Sequence, residues 1–212
     1  MKLLTTLFLC LSAQEISEEI LSPDEKKFSA IVRMVNAKIT TNWDYSTIVK
    51  RVQNYGCHCF PGMTRIAGGQ GAPVDMLDSA CQDLFRCHRC VQMMDAGDCD
   101  TAFGKYKFSI DANGNIDCSQ NTDCKLNQCL CDAEFAENLG TFWNDKDYNT
   151  YFWLAKKNVK RHTVFDYETT CRNSQANNTP DSCCGTAQFR RPYSSDVMQC
   201  CDDGSLKTIG SC

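Results

Sequence analysis

The sequence predicts a mainly α, disulfide-rich fold, and three of its features carry that prediction. The chain holds 17 cysteines in 212 residues. Two stretches, Val74 to Val91 and Cys124 to Leu139, repeat apolar residues at helical spacing over lengths that suit long helices. Between them, Tyr106, Phe108 and Ile110 alternate ahead of Asn113-Gly114, the pattern of a small β-hairpin with a two-residue turn.

Taken in order, residues 1–13 have the form of a signal peptide. Lys2 gives the positive start, Leu3 to Leu11 the apolar run, and Ser12 or Ala13 the small residue before cleavage. The run is too short to span a bilayer, so no integral membrane protein is expected. Residues 14–27 are polar and acidic and read as a flexible leader, in which Ser22-Pro23-Asp24-Glu25 is able to start a helix. Phe28, Ile31, Val32, Val35 and Ile39 then share one helical face.

Pro73 suits the first turn of the next helix, whose core stripe is Val74, Leu77, Cys81, Leu84, His88 and Val91. Ala96-Gly97-Asp98 is a turn leading to Cys99. The last long helix starts near Cys124, with Leu126, Cys129, Leu130, Phe135, Ala136 and Leu139 on its apolar side and Gly140 as its stop. Residues 141–170 form a helical, aromatic extension, with Tyr151 to Leu154 followed by Lys156-Lys157 and Lys160-Arg161-His162. A polar linker carries a glycosylation sequon at Asn177. Residues 171–212 are a cysteine-rich module with doublets at Cys183-Cys184 and Cys200-Cys201.

Removal of the leader takes Cys10 with it and leaves an even 16 cysteines. That number reads as up to eight disulfides in an oxidising compartment, and so as a secreted, extracellular protein. Zinc fits poorly, because Cys57-x-Cys59 and Cys129-x-Cys131 are too tight for the usual ligand pairs and no ligand-spaced His accompanies them. The net charge of −4, or −5 once Lys2 is removed, points away from nucleic acid.

The run Tyr55-Gly56-Cys57-His58-Cys59, then Gly69 to Asp78, then the helix bearing Cys81 and Cys87, and finally Asn127-Gln128-Cys129-Leu130-Cys131-Asp132, resembles a secreted phospholipase A2 over roughly residues 28 to 140. The resemblance implies an N-terminal helix, two long antiparallel helices cross-linked by disulfides, and a β-hairpin wing, with the cysteine-rich tail added. It also implies a calcium loop, a catalytic His-Asp pair on the first long helix, and a carboxylate on the second. The family's Cys-Cys-x-x-His-Asp-x-Cys-Tyr falls on Ala80 to His88, so Leu84 stands at the general base and Phe85 at the calcium-binding Asp. No catalytic residue, no cofactor and no calcium at the family site is therefore expected. Thirteen residues separate Cys59 from Pro73, longer than the family's loop. That insertion leaves the carbonyls of His58, Phe60 and Gly69 as remnants of the cradle.

Carried over residue by residue, the family's bridges pair Cys59 with Cys81, Cys87 with Cys131, Cys99 with Cys124 and Cys118 with Cys129. Two other family bridges lose both halves, at Ala80 with Asn138 and near Ala37 with Ile110. Cys57 and Cys90 stay open: to each other, or to the tail. Asp132 matches the carboxylate that orients the family's catalytic His. His88 matches a Tyr that hydrogen-bonds it, so His88 and Asp132 are expected to be neighbours.

The reading that follows is a non-catalytic scaffold or binding protein of the extracellular matrix, similar to the otoconins of calcium carbonate matrices. The tail resembles one repeat of galaxin, a coral-skeleton matrix protein, which points the same way. The alternatives are an active calcium-dependent phospholipase A2 acting on the sn-2 ester, or a lipid- or receptor-binding toxin-like ligand. Mineral or matrix components, lipid, a receptor or a second copy are the expected partners.

Overall fold

The computed structural model describes residues 23–39, 52, 55–59, 69, 71–94, 99, 105–144, 170–171, 180–185 and 190–212. The expected signal peptide, residues 14–22 of the expected leader, the inserted residues 60–67, the aromatic and basic run 151–162 and the sequon at Asn177 lie outside the described residues, whereas residues 23–27 of that leader are helical. Helix α1 spans Pro23–Lys38, α2 Met76–Met94 and α3 Asp123–Asn144. Strands β1 (Ser109–Ile110) and β2 (Ile116–Asp117) pair antiparallel between α2 and α3. In the tail, β3 (Ser182–Cys184) pairs with β4 (Arg191–Tyr193), and β5 (Met198–Cys200) with β6 (Leu206–Thr208).

The core lies where the three helices meet. From α1 it takes Ile31, Val32, Met34, Val35 and Ile39, so Met34 joins the expected stripe. Leu77, Leu84 and Val91 enter from α2, and Phe135, Ala136 and Leu139 from α3. Cys87 bonds to Cys131, and Asp83 lies close enough to Glu134 for their charges to repel. Residues ascending on α2 thus meet residues descending on α3, and the two helices run antiparallel. The other bridges implied by the resemblance are present as well: Cys59–Cys81, Cys99–Cys124 and Cys118–Cys129. Both open cysteines go to the tail, Cys57 to Cys171 and Cys90 to Cys183. The tail closes on itself through Cys184–Cys200 and Cys201–Cys212.

Three local expectations are corrected. Pro73 is not in the first turn of α2. The Asp75 carboxylate accepts from the Asp78 amide at 2.9 Å and so caps a helix that begins at Met76. The hairpin does not use a two-residue turn at Asn113-Gly114. The Asp111 amide donates to the Asn115 carbonyl, and the Gly114 amide to the Asp111 carbonyl, each at 3.0 Å. Only Gly114 has positive φ, so the loop is a three-residue turn closed by a left-handed glycine. The Asp111 side chain takes the amides of Asn113 and Asn115 and makes this longer loop the better one.

Nor does Gly140 stop α3, which continues to Asn144. A β-carbon at Gly140 would lie 2.5 Å from the Lys38 β-carbon, so glycine is there to let α1 cross close by. The nearby Lys38–Glu137 ion pair is exposed on its Glu137 side and adds little. The wing meets α1 in a similar way. A β-carbon at Gly114 would lie 2.7 Å from the Ala37 carbonyl, and Arg33 sits over the Phe108 ring at 5.0 Å. Close backbone packing and a cation–π contact join α1 to the wing at Ala37, where the family has a bridge.

Gly140→Ala is expected to lower stability by about 1–3 kcal/mol through overpacking, despite alanine's higher helix propensity. Denaturant unfolding with the disulfides intact measures it. An unchanged or raised midpoint would contradict the close crossing.

Candidate functional site

The site is built from the loop Tyr55–Cys59, the start and middle of α2, and the middle of α3. The loop is held by one carboxylate. Asp78, fully buried on α2, accepts from the backbone amides of Cys57 at 2.8 Å, His58 at 2.7 Å and Val74 at 3.0 Å. Gly56 makes this approach possible. Its φ is +55°, and a β-carbon there would lie 2.3 Å from the Asp78 carboxyl carbon. The Tyr55 hydroxyl donates to Asp75, and the Cys59–Cys81 bridge ties the loop's far end to α2. Gly69 is packed just as tightly, since a β-carbon there would run into the Cys57 carbonyl.

His58 points inward. Its Nε2 lies 3.0 Å from the Gly71 carbonyl and 3.1 Å from the Gln82 side-chain nitrogen. Burial holds its pKa below the ordinary imidazole range, against the pull of Asp78. Burial likewise pushes the Asp78 carboxyl above its usual range, although three amides favour its charged form.

Leu84 sits deep in the core one turn before His88, and Phe85 is half-buried against that core. On the facing helix, Asp132 is wholly buried and uses both oxygens. His88 Nε2 lies 2.7 Å from one, and the Tyr106 hydroxyl donates to the other at 2.6 Å. The structure thus brings His88 and Asp132 together and adds Tyr106 from the irregular segment that leads into β1. In the sequence, Tyr106 stands out only as part of an alternating strand pattern. Asp78 and Gln82 do not stand out there, although Asp78 closes the very motif that carried the resemblance.

Calcium is a hard cation that needs several oxygen ligands. The residues present do not fit it in the family's manner. Phe85 offers no oxygen, the His58 side chain turns to Gly71 and Gln82, and Phe60 lies outside the described residues. Among the described residues, no group of three or more His, Cys, Asp or Glu side chains is placed to hold a metal ion.

Comparison with known proteins agrees with this architecture. The phospholipase A2 family profile matches residues 30–153, more than half of the chain. The chain belongs to the phospholipase A2 family. An acidic phospholipase A2 A of Gloydius halys is 39% identical over 99 residues, 45% of this chain and 69% of that protein. The basic phospholipase A2 Tgc-K49 of Trimeresurus gracilis is 35% identical over 113 residues, 51% of this chain and 73% of that one. A phospholipase A2 of Calliactis polypus is 33% identical over 94 residues, 44% of this chain. The matched part spans about half the length of that Calliactis relative, at 53%. The eight disulfides are consistent with an oxidising, extracellular location. Among the described residues, no helix is long and apolar enough to cross a membrane.

A His whose pKa is lowered on folding contributes stability that is intact above the unfolded value of 6.5 and is lost as the pH falls through it. Asp78, whose pKa is raised, acts in the opposite sense, over a range that begins at its unfolded value of 3.8 and extends upward. Stability is therefore expected to drop as the pH falls below about 6.5, with His58→Gln removing that part of the profile. Denaturant midpoints across pH 5 to 8 check it. Parallel profiles for the two proteins would contradict the buried neutral imidazole.

Proposed function

We propose that this chain is a secreted, non-catalytic member of the phospholipase A2 family, acting as a scaffold or binding protein of the extracellular matrix or of a biomineral. One observation carries the reading: Leu84 and Phe85 occupy the positions of the family's general base and calcium carboxylate, inside a frame that still holds Asp132. Ester hydrolysis needs a group that accepts the proton of the attacking water and a cation or donor that stabilises the oxyanion. An alkyl side chain and a phenyl ring provide neither. His88 does not replace the lost base, because it is buried one turn away and committed to Asp132. The resemblance of the tail to galaxin, the doublets Cys183-Cys184 and Cys200-Cys201, and the sequon at Asn177 support a role in an extracellular assembly.

An active calcium-dependent phospholipase A2 is the second reading, favoured by the names of the relatives. It requires a base and a cation site that the residues at the matching positions do not offer.

Hydrolysis of phospholipid vesicles by the purified, oxidised chain, with and without calcium, separates the two. The expected result is no turnover. The double variant Leu84→His/Phe85→Asp is the comparison, and a gain of activity there would localise the loss to these two positions. Calcium-dependent turnover by the natural chain would overturn the proposal.

A further inference from the structure

The disulfides differ in burial. Four bridges have both cysteines buried: Cys57–Cys171, Cys59–Cys81, Cys87–Cys131 and Cys118–Cys129. They lie in the helical core and its loop. In the tail, Cys200 and Cys212 are exposed and Cys201 and Cys183 half-buried, so each remaining tail bridge has at least one cysteine that is not buried. Cys99–Cys124 joins a buried to a half-buried cysteine, and neither belongs to the tail.

The tail is fastened at separate points. Cys171 is fixed at the loop by its bond to Cys57, and its carbonyl packs against Gly71. Cys183 is fixed to Cys90 near the end of α2, where its sulfur also touches the Met93 sulfur at 3.9 Å. Arg190 donates to the Asn127 side chain on α3 at 3.0 Å. The β3–β4 pair therefore bridges α2 and α3, with Cys90–Cys183 as its one covalent anchor there.

We propose that residues 180–212 are a thiol-releasable strap across the end of the α2–α3 pair: a dithiol reductant detaches it from α2 while Cys57–Cys171 keeps it attached to the loop. Attack on a disulfide needs an accessible sulfur and a thiolate. One thiolate of the reductant attacks the Cys183 sulfur and forms a mixed disulfide, and Cys90 leaves as thiolate and is protonated. The second thiol of the reductant then attacks that mixed disulfide and releases Cys183 as a thiol. Two electrons and two protons pass to the protein, and the reductant becomes a cyclic disulfide. Cys184–Cys200 and Cys201–Cys212 open in the same way. With these bonds open, the short hairpins β3–β4 and β5–β6 lose their staples, and two-stranded pairs of this length are not stable alone. The strap lifts and uncovers the part of α2 that carries Cys90 and Met93. The core bridges are protected because opening them requires unfolding the helix pair.

Stepwise reduction of the natural chain with dithiothreitol tests this, with alkylation of free thiols at each step and mass-spectrometric assignment. The expected result is a window in which Cys90, Cys183, Cys184, Cys200, Cys201 and Cys212 are alkylated at least tenfold more than Cys59, Cys81, Cys87 and Cys131, with the helical circular dichroism retained. In the same window, amide exchange of residues 89–94 should accelerate. Cys90→Ser/Cys183→Ser should reproduce that acceleration without reductant. If all bridges reduce together, if Cys90–Cys183 outlasts Cys59–Cys81, or if exchange at residues 89–94 does not respond, the strap is not releasable.

Discussion

The junction at the middle of α2 and α3 is the constraint on which the rest depends. Cys87 is bonded to Cys131, and the next residues along, His88 and Asp132, meet in a buried hydrogen bond that Tyr106 completes. A covalent bond sets the separation of the helices. The carboxylate beside it sets their rotation, because a wholly buried Asp must keep its partners in line. Removing one partner while leaving the carboxylate buried costs about 1–3 kcal/mol or more, which makes the network a structural requirement in its own right. It therefore persists whether or not a reaction takes place beside it.

A second buried carboxylate performs the same service for the loop. Asp78 gathers the amides of Cys57, His58 and Val74 and thereby fixes the loop on the start of α2. Neither carboxylate depends on the side chains at Leu84 or Phe85. Apolar residues can stand at both positions without disturbing the frame, and Leu84 packs into the core directly. Frame and chemistry are separable here because different residues carry them.

Much of this frame was legible in the sequence. Cysteine spacing is a strong signal, since a disulfide joins positions that only one register brings together. The four bridges of the helical domain were implied by the family resemblance that this spacing carries, and the same resemblance placed His88 beside Asp132. What was missed depends on tertiary context. Gly140 looks like a helix stop, and only the passage of α1 over it explains a glycine inside α3. Asn113-Gly114 favours a two-residue turn until the Asp111 carboxylate captures two amides and lengthens it. Asp78 reads as an ordinary acid in the first turn of a helix, and its hold on a loop some twenty residues earlier has no local signature.

Position 85 is where the account is most exposed to test. Calorimetric titration of calcium into the natural chain and into Phe85→Asp addresses it directly. The natural chain is expected to bind no calcium at this loop, so that Gly69→Ala leaves its titration unaltered, and any calcium uptake is expected only in Phe85→Asp. One calcium per natural chain, weakened by Gly69→Ala, would contradict it and would return the loop to the family's chemistry.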